Sequence, residues 1–98
     1  MTYIETDPIE TDPIEMIANE RFSQKEDHGY TDEHDDQYKD GELAYAACCS
    51  IDAVVRYKWP WGDRPSKADG QSRIKQLVVA GALIVAEIER LQRAGEKQ

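Results

Sequence analysis

Apolar positions in this chain fall into three stretches of helical periodicity, and none keeps the two-residue alternation of a half-buried strand. Ile14, Ile17, Ala18 and Phe22 recur at helical spacing behind Pro13, a residue suited to the first helical position. Thr11 or Asp12 is the expected N-cap and Gly29 the expected stop, which predicts a first helix over Pro13–Asp27. A second helix is predicted from about Asp40 to Tyr57, with Leu43, Ala47, Ser50/Ile51 and Val54 on one face. Ala44, Ala46, Cys48, Cys49 and Ala53 keep the rest of that helix small, so neighbouring elements can approach it closely. The third and longest helix, about Asp69 to Ala94, carries Ile74, Leu77, Val78, Gly81, Ile84, Ile88 and Leu91 on one face, with Ser66 and Asp69 as its capping signal.

The connections are as distinctive as the helices. Trp59-Pro-Trp-Gly-Asp-Arg-Pro65 is a stiff aromatic connector that neither helix nor strand can traverse. Residues 29–40 form an acidic connection in which Thr31, followed by Asp32, Glu33 and His34, starts at most a single helical turn. The pentapeptide Ile-Glu-Thr-Asp-Pro occurs at 4–8 and again at 9–13, each copy too short to fold. The expected organisation is a flexible acidic leader over 1–12, one helical domain over 13–94, and a short tail over 95–98.

The middle of the third helix, Leu-Val-Val-Ala-Gly-Ala-Leu-Ile-Val-Ala, is apolar all round and needs cover on every side. Two shorter helices cannot easily supply that. The expected fold is therefore all-α, a small three-helix bundle with a long C-terminal helix, assembled as a homo-oligomer. Ninety-eight residues form one small domain with a thin stability margin, which favours the same conclusion.

Charge narrows the choice of partners. Residues 1–42 hold three basic and fourteen acidic side chains, a net of −11, whereas 43–98 hold nine basic and six acidic, a net of +3. No basic stripe is strong enough to displace counterions from duplex nucleic acid, so duplex binding is not expected. The longest apolar run, ten residues, is about half of what spans a bilayer, so no membrane partner is expected either. No signal sequence is visible, and Cys48 and Cys49, adjacent in an apolar run, read as small core residues in a reducing compartment. The expected location is the cytoplasm.

Three constellations can carry chemistry. The stretch from Glu26 to Glu42 holds both histidines and eight carboxylates. It reads as a solvated acidic loop, as a site of hard oxygen ligands for Mg²⁺ or Mn²⁺, or as one wall of a ligand pocket through Tyr30 and His34. No established ligand spacing is met, and the pocket wall is the reading adopted, ahead of the aspartates. Trp59, Trp61, Arg64 and Lys67 combine flat surfaces with cations, as a stacked base and its phosphate require, although two indoles can equally plug the end of a bundle. Glu87, Arg21 and Gln24 border apolar faces, and a carboxylate there needs a partner. An Arg21–Glu87 pair is the structural answer and a place in the pocket the functional one.

The pattern Glu20-Arg21-x-x-Gln24, Gly29-Tyr30-Thr31-x-Glu33-His34-Asp35-Asp36, Gly41-Glu42-Leu43-Ala44, Trp59-Pro60-Trp61, Ala80-Gly81-Ala82-Leu83-Ile84 and Ala86-Glu87-Ile88-Glu89-Arg90 resembles a family of small, mostly uncharacterised proteins of tailed phages and prophages, over Glu20 to Arg93. A weaker similarity reaches the MazG-like all-α nucleoside triphosphate pyrophosphohydrolases, whose Glu-x-x-Glu and Glu-x-x-Asp pairs hold Mg²⁺ on a triphosphate. Here Glu42 is followed at that spacing by Tyr45, and Glu87 by Arg90. Together with the Tyr/Trp/Arg/Lys set and a helix that demands partners, the phage resemblance leads to the expectation of a phage-encoded helical oligomer that captures a nucleotide-type small molecule, such as a host defence signal, without cleaving it. Its ligand-binding residues would be Arg21, Gln24, Tyr30, His34, Trp59, Trp61, Arg64, Lys67, Arg73 and Glu87, with no catalytic residue assigned. The alternatives are a Mg²⁺-dependent hydrolase using Glu42, Asp35, Asp36 and Glu87, and an acidic inhibitor that occupies a basic host surface.

Overall fold

In a computed structural model the described residues are 12–51, 60 and 70–96. They form four helices, α1 (Pro13–Asp27), α2 (Asp32–Asp36), α3 (Glu42–Ile51) and α4 (Arg73–Arg93), and no strand. The fold class is all-α, built on a long C-terminal helix against which each of the other three packs.

The local signals act largely where the sequence places them. Asp12 caps α1 by accepting the Ile14 backbone N–H at 2.9 Å, and Pro13 holds the first helical position. The chain leaves α1 through Gly29, whose φ of +73° lies where side chains with a Cβ rarely go, and Tyr30 N–H returns to the Gln24 carbonyl at 2.9 Å. Thr31 caps the single turn of α2 through a 3.2 Å bond from His34 N–H. The last helix starts later than its expected origin at Asp69. Gln71 and Ser72 are not helical, and Ser72 Oγ takes the Lys75 N–H at 3.1 Å as the cap. Ser66, Asp69 and Val54 fall outside the described residues, as does all of the aromatic connector except Pro60.

The core lies between α3 and α4 and is made mostly of small side chains. Leu43, Ala46 and Ala47 meet Val79, Ala80, Leu83 and Ala86, with Tyr38 closing one end. Alanine on both sides brings the two helices close, and Leu43, 1% exposed, is the largest apolar side chain wholly enclosed there. Cys49 on α3 is buried, whereas Cys48 is exposed.

Two faces are corrected by the tertiary structure. On α1, the periodic Ile14, Ala18 and Phe22 point to solvent, and the buried side chains are Glu20, Arg21 and Gln24. Ile17 alone of that set packs inward, against Gly81, where an added Cβ would lie 2.7 Å from Ile17 Cδ1. On α4, Ile74, Leu77, Ile84 and Ile88 remain substantially exposed, while Val78, Val79, Ala80, Ala82, Leu83 and Ala86 are buried. The alanine-rich flank of α4 matches the alanine-rich α3, so the larger isoleucines are left outside the layer. No described helix is long and apolar enough to cross a membrane.

Candidate functional site

The polar face of α1 organises the acidic connection. Arg21, 5% exposed, directs its guanidinium to three partners: Nη2 donates to Asp35 Oδ2 at 2.8 Å, Nε to Glu89 Oε1 at 3.0 Å and Nη1 to Gln24 Oε1 at 3.3 Å. Asp35 is fully buried although it sits in the most acidic part of the chain. Burying a carboxylate requires a charged, hydrogen-bonded partner, and the planar fork of an arginine supplies one. This contact clamps the five-residue α2 onto α1 and α4. Lys25 adds outer pairs to Glu89 at 3.7 Å and Asp32 at 3.9 Å, and Lys75 reaches the buried Glu20 at 2.7 Å.

The second oxygen of Asp35 lies 3.0 Å from His34 Nδ1, and Tyr38 Oη lies 3.5 Å from His34 Nε2. The imidazole stacks on Tyr30, with centroids 4.7 Å apart and planes within 4°, and meets Tyr38 edge-on at 5.2 Å. Tyr30, His34 and Tyr38 therefore form one half-buried aromatic ladder whose imidazole is oriented from behind by the buried carboxylate. Stacking on Tyr30 takes up one face of His34, so any ligand must meet the outer side of the ladder.

Directly after the ladder, the chain forms a cavity of about 350 Å³ lined by Asp36, Lys39, Arg90, Arg93 and Ala94. Glu87 holds Arg90 in place, with Nε–Oε1 at 2.7 Å and Nη2–Oε2 at 3.1 Å. Arg93 binds Asp36 Oδ1 through Nε at 2.9 Å and Nη2 at 2.7 Å, and Nη1 lies 3.2 Å from Asp32 Oδ1. Lys39 forms no ion pair with a described residue, and its side chain is exposed. The hydrogen bond from Arg93 holds the Asp36 carboxyl below its ordinary range, helped by the positive charges of Arg93, Arg90 and Lys39. The same contacts raise Arg93, chiefly through Asp36, and Arg90, chiefly through Glu87.

The Asp36–Arg93 pair makes stability pH-dependent with a defined sign. Because the folded value is depressed, the contribution is complete above the unfolded carboxylate value near pH 4 and is lost as pH falls through the lower folded value. Asp36→Asn is therefore expected to flatten the acid limb of stability against pH below about 4 and leave the curve's shape at neutral pH unchanged. Urea midpoints measured from pH 2.5 to 7 check this, and an unchanged acid limb would count against the pairing.

Of the residues the sequence singles out, the structure brings Arg21, Gln24, Tyr30 and His34 together, joined through Asp35. Arg21 and Gln24 are enclosed in the clamp and position α2. Glu87 stands apart from them, and the partners of Arg21 are Asp35 and Glu89 in place of the anticipated Glu87. Arg73 also lies elsewhere, donating to the Ile51 carbonyl and to Gln76 Oε1 at 3.4 Å, where it ties the start of α4 to the end of α3. Trp59, Trp61, Arg64 and Lys67 fall outside the described residues. Reading by residue type ranks Asp35 below its neighbours, yet among the described residues it is the acid with no exposed surface. It also passes over Lys39 and Arg93, whose only sequence signal is a cation beside a helix end.

Among the described residues no three His, Cys, Asp or Glu side chains converge as a metal would require. Asp35, Asp32 and Asp36 are directed instead toward Arg21, Lys25 and Arg93. The described part is thus an all-α protein with a clamped aromatic ladder beside a cation-lined cavity. No family model, curated protein or solved structure matches the chain.

Proposed function

We propose that the protein is a binding protein for a small anionic ligand of the nucleotide type. The observation that carries this reading is the cavity of about 350 Å³ in which Lys39, Arg90 and Arg93 converge, one residue beyond the aromatic ladder. That volume falls in the lower part of the range of small-molecule sites, ~300–1,000 Å³. A phosphate needs several donors on a held framework: Glu87 holds the Arg90 guanidinium, and Asp36 keeps that of Arg93 at the cavity in the free protein. Lys39 adds an exposed ammonium at the same cavity. The half-buried rings of the ladder offer aromatic surface on which a base can pack. Asp36 sits among the cations as an internal anion, and an entering phosphate takes its place on Arg93.

Glu42 followed at the paired-carboxylate spacing by Tyr45, and Glu87 by Arg90, is in keeping with capture rather than turnover, and capture of a host signalling nucleotide is the role proposed here. Ligand attraction depends on Lys39, Arg90 and Arg93, because the surrounding N-terminal half is strongly acidic. Calorimetric titration with nucleoside mono-, di- and triphosphates, cyclic dinucleotides and NAD-derived nucleotides tests the reading. At least one is expected to bind in the micromolar range or tighter, with a tenfold or greater loss (about 1.4 kcal/mol) in Arg93→Gln and in Lys39→Glu. No binding by any of them at millimolar concentration, or equal binding by both variants, would overturn it.

A further inference from the structure

Ile74, Leu77, Ile84 and Ile88 of α4 remain 43 to 50% exposed. With Gly81 and Leu91 they are spaced three, four, three, four and three residues apart, the seam of a coiled coil rather than the broad stripe of a surface helix. At Gly81 the seam has no side chain of its own, and Ile17 of α1 fills the gap. On α1, Ile14 and Phe22 are also exposed, at 72% and 65%. The four exposed side chains of α4 thus form one apolar strip along a single helix face.

We propose that this face binds a second copy of the chain, with the two α4 helices paired antiparallel about a two-fold axis near Gly81. Such a pair sets Ile74 against the partner's Ile88 and Leu77 against the partner's Ile84, so each large side chain meets another. Charge selects the direction. Arg73 and Glu87 lie two heptads apart on the same flank of the seam, and the antiparallel arrangement brings Arg73 beside the partner's Glu87 at both ends. A parallel pair would set those flanking residues against Val78 and Gln92, with no charge partner. Both carboxylate oxygens of Glu87 already accept from Arg90, and each retains a further lone pair for a second guanidinium. The contact is isologous and closes at two subunits, which ends the exposure without building a filament. Arg90 and Arg93, which line the cavity, lie on the opposite side of α4 from Ile84 and Ile88 by helical geometry, so the pairing leaves the cavity open, and Glu87 is the residue common to both.

Light scattering of the intact protein is expected to report two 11.2 kDa chains. Ile84→Glu and, separately, Leu77→Lys are expected to give single chains with unchanged far-UV helix content. In a Cys48→Ser background, Ile74→Cys combined with Ile88→Cys is expected to oxidise to covalent dimers, whereas either cysteine alone is not. A parallel pair would instead cross-link each single variant. The proposal is overturned by a single-chain mass at every concentration up to millimolar, by any other stoichiometry, or by a folded Ile84→Glu that keeps the wild-type mass.

Discussion

Replacing Arg21 by methionine is expected to remove about 3–5 kcal/mol of folding stability, because it leaves the fully buried Asp35 carboxylate without its cation. That loss is comparable with the whole stability of a small domain, ~5–15 kcal/mol. The companion variants make the cause separable. Arg21→Lys keeps the charge but cannot serve Asp35, Glu89 and Gln24 from one planar group, so it should lose less than methionine but clearly more than nothing. Arg21→Met with Asp35→Leu removes both charges and should recover much of the loss, because the desolvation of two ions disappears along with their attraction. Urea unfolding of the four proteins checks the order. In Arg21→Met, amide exchange should accelerate first in residues 31–38, the segment that the clamp holds on α4. Equal stability of Arg21→Met and wild type would mean that the buried pair contributes nothing.

Leu43→Ala is expected to lose about 2–5 kcal/mol, the range for emptying a wholly enclosed leucine site. Relief should be poor here, since the surrounding side chains are mostly alanines on two closely packed helices and cannot move in to fill the space. Phe22→Ala is the informative contrast. It removes a larger apolar side chain from a position with helical periodicity, yet that side chain is 65% exposed, so the change should stay within about 0.5 kcal/mol. Thermal or urea melts decide between the two assignments of the α1 inner face. If Phe22→Ala were the more damaging of the two, the inner face of α1 would be the apolar one after all.

Reading α1 correctly depends on a contact that no periodicity encodes. Its apolar residues recur at the right interval, but Arg21, Gln24 and Glu20 occupy the inward side because Asp35, Glu89 and Lys75 wait there. A helical wheel weighs each side chain against water alone and cannot see that a distant carboxylate will neutralise a guanidinium. Asp35 illustrates the same limit from the other side. Among eight acids in seventeen residues nothing local distinguishes it, and its burial follows only from the placement of α2 beneath α1. Tyr30 and His34 were legible as a pair because aromatic and imidazole groups in an acidic, glycine-punctuated stretch have few reasons to be there except packing or binding.

What the sequence by itself determined is local. Proline, aspartate, threonine and glycine at turn and cap positions set the limits of α1 and the single turn of α2, because those preferences come from backbone geometry and hydrogen bonds within a few residues. The absence of two-residue alternation likewise made the chain all-α. Tertiary structure alone decided which face of each helix is inside. Alanine matched to alanine between α3 and α4 turned the isoleucines of α4 outward, and one buried arginine turned the polar side of α1 inward. Close packing and charge neutralisation are properties of pairs of surfaces, so neither can be read from one helix at a time.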